Sequence, residues 1–388
     1  MPNQVKFRLA PRDRHETHRA ATPLELMFDL ASVIAIATAA TGLHHAVAHS
    51  HFADGVVGFF FAFFMIWLAW MNYTWFASAY DNGHRWFQII SMAIMFGSLV
   101  LAAGIPAVFA GEPLFLVLIG FIIMRLGLVV LWLAAAQSGS GHRETSLRYA
   151  GGIAALQVFW VAIILMIPAT SAALKWAFLL GFAMELAVPV FSEGSNRTAW
   201  HKHHIIERYG LLNIIVLGEC FLAVVMAIKG EGGLPSWQLL EIGLLASIIT
   251  FALWALYFNG HDHLPHEEKN HVLIWGYGHF TLFASGAATG AGFAVMVDFA
   301  NHSAHLSETA AALSVAIPVS LYVMSVWLVR DRYWLVGGAQ FVMPGCAVAV
   351  LLAAFFASSH VLLLIAAVLI GTLIIRTNLG ANLAVKEK

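Results

Sequence analysis

Five ionisable residues fall deep inside apolar runs of the sequence: Asp29, Arg125, Glu185, Glu219 and His279. A charge well within a hydrocarbon layer costs at least about 2.5–3.5 kcal/mol unless it is paired or wet. Each therefore marks a strong contact or a chemical task. Counting about 1.5 Å per helical residue puts Arg125 roughly 18 Å below the outer end of its span, near the bilayer centre. Glu25 and Asp29 stand four residues apart in the inner third of the first span, on one helix face. Glu185 and His279 reach a layer similar to that of Asp29, and Glu219 lies above the midplane.

Two readings follow. Arginine keeps its proton in practice, so Arg125 needs a carboxylate or a ligand anion, and Glu185 or Glu219 is nearest by depth. In one reading, a buried Arg–Glu bond fixes helix packing and does nothing more. In the other, Asp29, Glu185, Glu219 and His279 line a polar cavity that handles a cation or a proton, with Arg125 as counter-charge. Carboxylates can hold either species, and histidine titrates near neutrality. Glu25 and Glu207, near the inner interface, belong at the mouth of such a cavity or at a helix N-terminus, where negative charge is favoured. His279 sits between Trp275-Gly-Tyr277-Gly and Ser285-Gly286-Ala-Ala-Thr289-Gly290-Ala-Gly292. Small residues at four-residue spacing let helices approach closely in lipid, so this span is expected at the centre of the bundle. A lone helical histidine is more often a packing or hydrogen-bonding residue than a ligand.

The elements that position these groups are dictated by composition. Of 388 residues, 60% are hydrophobic and 11% charged, and the mean hydropathy is +0.80. That balance excludes a soluble domain. A span needs about 20 mostly apolar residues, and such stretches occur at 23–48, 54–79, 86–110, 113–136, 148–168, 172–191, 205–228, 237–259, 271–297, 306–329, 334–357 and 360–376. The apolar runs are continuous rather than alternating, which argues against a transmembrane β-barrel. The fold class expected is an all-α polytopic membrane protein of about twelve helices. The basic head MPNQVKFRLAPRDRHETHR and the long first run lack the features of a cleaved signal peptide, so the first span is expected to stay. Cys220 and Cys346 fall inside different spans and read as buried free thiols.

Orientation comes from the basic residues. With the N-terminus inside, only Lys175 and Lys229 of the 20 Lys and Arg fall in outer loops, and Arg125 lies within a span. All the others, from Lys6 and Arg8 to Lys386 and Lys388, fall on the cytoplasmic side. The expected location is therefore the inner (plasma) membrane of a cell, multi-pass, with both termini cytoplasmic. The net charge of −1 gives no clue to partners, and no basic stripe with interleaved aromatics points to nucleic acid.

An internal repeat is also visible. Trp75-Phe-Ala-Ser-Ala-Tyr80-Asp81-Asn-Gly-His84 at the end of the second span is echoed by Trp254-Ala-Leu-Tyr257-Phe-Asn-Gly-His261-Asp262 at the end of the eighth. The first and seventh spans open alike, with Pro23-Leu-Glu25-Leu against Ile205-Ile-Glu207-Arg208. Two six-helix repeats of one orientation, 23–191 and 205–378, would flank a linker at 192–204, with a basic segment at 1–22 and a tail at 379–388, as in parallel-repeat transporters. Recurrent aromatic and Asn-Gly clusters at helix ends also arise for interfacial and turn reasons alone.

Many of the 19 histidines cluster in loops. His44-His45-Ala-Val-Ala-His49-Ser-His51 and His302/His305 are expected outside, with His201/His203/His204 and His261-Asp262-His263-Leu-Pro-His266 inside. The i, i+4 pair His45 and His49 could ligate Zn²⁺ or Cu²⁺, but nothing in the sequence completes a site, and solvated, pH-responsive loops are the favoured reading. No HExxH, GxSxG, phosphate loop or paired Ser/His arrangement supports catalysis. No cofactor is implied.

Thr22-Pro-Leu-Glu25-Leu-Met-Phe28-Asp29-Leu30, the Tyr80-Asp81 pair after an aromatic run, and His204-Ile-Ile-Glu207-Arg208-Tyr209-Gly210 continuing to Leu217-Gly218-Glu219 resemble the bacterial low temperature requirement protein A (LtrA) family. So do Gln88, Ala103-Gly104-Ile-Pro106, the span with Arg125, and Tyr277-Gly-His279-Phe. The likeness runs over about residues 20 to 378. The family pattern usually has Phe where this chain has Met27 and Ser where it has Cys220; both changes leave the carboxylates in place. The resemblance implies a bacterial membrane protein of a family named for a growth requirement, with Tyr80, Asp81 and Arg208 as an interfacial motif. More distantly, Phe28-Asp29 at the start of a first span is similar to the lysosomal potassium-channel family. Its Ser is missing here and the seventh span has no matching Asp, so no pore residue is carried over.

These features lead to the expectation of a transporter or channel-like protein moving a small ion or solute through a polar intramembrane site. The alternative is a membrane sensor or stress-adaptation factor responding to pH, metal or lipid state. Expected partners are membrane lipids and that small ion or solute, with homo-oligomer formation left open.

Overall fold

Inside hydrocarbon every backbone N–H and C=O must be satisfied within the chain, so continuous apolar runs become helices. A computed structural model describes residues 8–14, 16–17, 19–138, 141–194, 197–229, 234–260, 264 and 268–386, without the side chains of 269 and 380–386. Among the described residues, 12 helices are long and apolar enough to cross a membrane. The chain is a multi-pass α-helical membrane protein. His261, Asp262, His263 and His266 lie outside the described residues, as do Lys6 and Lys388.

The helices are α1 (Pro23–Ala48), α2 (Phe52–Tyr80), α3 (Arg85–Ala110), α4 (Phe115–Ala136), α5 (Arg143–Met166), α6 (Ala172–Ser192), α7 (Lys202–Lys229), α8 (Trp237–Phe258), α9 (Lys269–Ala300), α10 (Glu308–Val326), α11 (Val342–Phe356) and α12 (Val361–Lys386). α10 continues through a π-helical turn at Trp327–Asp331 into a last turn at Arg332–Trp334. Serines start three of the helices: Ser171, Ser236 and Ser307 accept from the backbone N–H groups of Ala173, Leu239 and Ala310, satisfying donors that a first helical turn leaves unpaired.

The chain forms two compact units, Met1–Ala39 with Gly58–Arg208, and Ala40–Val57 with Tyr209–Lys388. In the first, α3 shows how the sequence separates its faces. Phe87, Ser91, Ile94, Ser98 and Leu101 are buried, while Ile89, Met92 and Phe96 stand exposed. A stripe of exposed large apolar side chains at helical spacing is the signature of a lipid-facing surface. The phenylalanine run of α2 meets α6, with Phe64 stacked on Phe182 at 3.8 Å between centroids. Where α3 crosses α4, glycine is required: a Cβ at Gly120 would stand 2.6 Å from the carbonyl oxygen of Gly97.

In the second unit α9 is the most enclosed helix, with 78% of its apolar window buried. Its small residues do what the spacing predicts. A Cβ at Gly290 would lie 2.8 Å from the carbonyl carbon of Glu219, so α9 rests on the backbone of α7.

Backbone contact of this kind leaves no room for a side chain, and overpacking costs about 1–3 kcal/mol. Gly120→Val should lower the stability of the purified protein by about that amount in a thermal or chemical unfolding measurement. An unchanged midpoint would mean that α3 and α4 are not held at glycine distance.

Candidate functional site

The buried charges fall into small groups, each built by identifiable elements. At the start of α1, Thr22 and Glu25 form a reciprocal cap: Glu25 Oε2 accepts from the Thr22 N–H at 2.8 Å and hydroxyl at 3.0 Å, and the Glu25 N–H donates to Thr22 Oγ1 at 3.3 Å. This is the capping box of a Thr-x-x-Glu sequence. The other carboxylate oxygen, Oε1, lies 3.0 Å from His204 Nε2 and 3.7 Å from Arg19 Nη2. Glu207 is exposed and accepts from the Ala21 N–H at 3.3 Å.

One helical turn further on, Arg208 donates through Nη1 and Nη2 to the two oxygens of Asp29, both at 2.5 Å. Trp70 Nε1 donates to the same carboxylate at 2.7 Å. The spacing explains the geometry. Glu25 and Asp29 are four apart on α1, and His204 and Arg208 are four apart on α7, so each helix presents two partners on one face. Because 25 meets 204 and 29 meets 208, the two helices run parallel here.

Arg125 is fully buried on α4 and bonds Glu185 on α6, while Trp160 on α5 donates to Glu185 Oε1 at 3.0 Å. The guanidinium also lies 5.6 Å from the centroid of Phe121. Of the two carboxylates the sequence left open for Arg125, Glu185 is the partner. The pairs Arg208–Asp29 and Arg125–Glu185 thus each recruit a tryptophan N–H, a group that can only donate. Neither tryptophan was singled out by sequence, although a donor-only indole in mid-span needs an acceptor.

The helix ends use arginine differently. Arg12 Nη1 donates to the carbonyl of Asp81 at 2.6 Å and Arg19 Nη2 to that of Ala77 at 2.9 Å, closing the end of α2. The Asp81 side chain accepts from the Gly83 N–H at 3.0 Å, and burial raises its carboxyl above the ordinary aspartate range despite that bond. Tyr80 packs its ring against Phe76 and Trp132. In the second unit Arg330 reaches the carbonyls of Leu256 and Tyr257, and Arg376 that of Leu256, with Asp331 between the two guanidinium groups. Lone C-terminal carbonyls accept readily from cationic donors.

His279 sits in a ring of aromatic side chains, with Trp275 at 4.4 Å, Tyr209 at 4.9 Å and Phe283 at 5.4 Å between centroids. Its Nδ1 donates to the Trp275 carbonyl at 2.7 Å, which leaves Nε2 of the neutral ring to accept from the Tyr257 hydroxyl at 3.1 Å. Tyr209, beside His279, precedes Glu219 by ten residues of α7, about 15 Å along the axis. His279 and Glu219 are not brought together.

Glu219 stands apart. It is 8% exposed, and among the described residues no hydrogen bond or ion pair reaches its carboxylate. Its neighbour Cys220 is a buried free thiol, as is Cys346.

Among the described residues no group of three or more His, Cys, Asp or Glu could hold a metal ion. His49 Nδ1 meets the His45 carbonyl at 2.8 Å, and His44 Nε2 meets Asp298 at 2.7 Å.

Removing one partner of a buried ion pair leaves an uncompensated charge and costs about 3–5 kcal/mol, whereas replacing both by apolar residues is often near neutral. Asp29→Leu alone should therefore destabilise by about 3–5 kcal/mol in an unfolding titration, and Asp29→Leu with Arg208→Leu by much less. Equal losses in single and double variants would contradict a charge-compensating pair.

The family described as Bacterial low temperature requirement A protein (LtrA) matches residues 20–375. An uncharacterized protein of Rhizobium meliloti (strain 1021) is 25% identical over 259 residues, 64% of this chain. The chain's match spans 60% of the length of that relative.

Proposed function

Since the chain belongs to the bacterial low temperature requirement A family, as the match over residues 20–375 shows, we propose that it moves a small cation or protons across the membrane with Glu219 as the loading group. The observation that carries this is the isolation of the Glu219 carboxylate. Asp29 has Arg208, Glu185 has Arg125, and Glu25 has His204 and Arg19. Glu219 has no counterpart among the described residues. Ten residues from the end of α7, it lies about 15 Å along the axis from that end, well within a hydrocarbon core about 30 Å thick. A carboxylate there is neutralised by a proton or by a bound cation. A group that must acquire its compensating charge from outside is suited to carrying it.

The proposal includes location and symmetry. Placement in the inner (plasma) membrane with both termini cytoplasmic is supported by the bias of Lys and Arg towards one set of loops. Two six-helix halves of one orientation are supported by the parallel run of α1 and α7 at their ion-pair ladder, and by paired arginines closing the ends of both α2 and α8. The donors come from different segments in the two cases, so the likeness lies in the helix ends that accept them.

In proteoliposomes assayed with a panel of monovalent cations and a pH-sensitive dye, Glu219→Gln should reduce flux by at least about tenfold. The same substitution breaks no bond and should leave the unfolding midpoint unchanged, whereas Glu185→Gln should lower it. Wild-type flux in Glu219→Gln would overturn the assignment.

A further inference from the structure

Between α5 and α6, at the end of the pair where α5 begins and α6 finishes, runs a groove of about 660 Å³. Gly151, Gly152, Val188 and Phe191 form its apolar walls, and Arg148 and Ser192 complete the lining. The groove exists because two successive glycines remove side chains from α5. A Cβ at Gly151 would meet nothing within 4 Å, while one at Gly152 would rest 3.2 Å from Val188. Phe191 projects from the rim, 75% exposed, in keeping with the lipid-facing apolar surface of these helices.

Arg148 lies five residues into α5, about 7 Å from its start, which is the depth of a headgroup rather than of the acyl region. Its side chain is 44% exposed and its partner is Glu144, one turn earlier, at 2.5 Å. An exposed ion pair of this kind holds little energy. The guanidinium is therefore available to a phosphate, which it matches in a planar, two-pronged geometry. A guanidinium that can exchange its exposed Glu144 partner for a phosphate, at interfacial depth beside an apolar trough, suits an amphiphile with an anionic phosphate and a hydrocarbon chain.

We propose that the α5–α6 groove is a binding site for a single anionic phospholipid, its acyl chain lying over Gly151 and Gly152 and its phosphate on Arg148. The lipid would differ from bulk lipid in being retained and in being selected by charge.

The test is native mass spectrometry of the full-length protein in detergent with equal amounts of dioleoylphosphatidylglycerol and dioleoylphosphatidylcholine. Wild type should retain phosphatidylglycerol in preference, by about fivefold or more. Gly151→Leu fills open space and should abolish that adduct without lowering the unfolding midpoint. Arg148→Gln, a surface change that keeps the groove, should bind the two lipids alike. The proposal fails if wild type shows no preference or if Gly151→Leu retains phosphatidylglycerol as wild type does. It fails equally if wild type is a dimer that Gly151→Leu converts to monomers with lipid binding unchanged, which would give the groove to a second copy of the chain.

Discussion

The structure depends on the compensation of charge in a medium that cannot solvate it. At the junction of α1, α2 and α7 this takes the form of a ladder: Glu25 against His204 and Asp29 against Arg208, with Trp70 as a further donor to Asp29. Helices in lipid gain nothing from hydrophobic burial against each other, so close packing and polar bonds must hold them. A bidentate Arg–carboxylate bond is specific in position and angle. It sets both the register and the parallel direction of the first turns of α1 and α7, which lie far apart along the chain.

The same constraint accounts for the other buried charges. Arg125 and Glu185 tie α4 to α6, with α5 joined through Trp160. Arg12, Arg19, Arg330 and Arg376 spend their donors on helix-end carbonyls, where a helix has acceptors left over. Against this background of paired groups the Glu219 carboxylate on α7 stands out, because among the described residues no hydrogen bond or ion pair reaches it.

Much of this was legible in the sequence. Twelve spans followed from hydropathy, the shared face of Glu25 and Asp29 from their spacing, and the pairing of Arg125 with a glutamate from the cost of a bare guanidinium. Other features were hidden by distance along the chain. Asp29 and Arg208 are separated by 179 residues, and Arg208, near the start of its span, reads as an ordinary interfacial cation. Arg330 likewise reads as a loop charge but lies buried in a π-helical turn, bonded to the carbonyls of Leu256 and Tyr257. His279 looked like a member of a polar cavity. Trp275 and Phe283 stand four residues to either side of it on the same helix face, but only the fold brings Tyr209 from α7 and the Tyr257 hydroxyl from α8 against the ring. Local spacing reports which residues share a face, but not which distant face they meet.

The central claim is that Glu219 acquires its compensating charge from outside the protein. Infrared difference spectroscopy of the reconstituted protein, recorded as pH or cation concentration is changed, observes this directly through the carboxyl and carboxylate stretching bands. The account predicts a difference band in wild type that is absent from Glu219→Gln and retained in Asp29→Asn. Identical difference spectra for wild type and Glu219→Gln would contradict it.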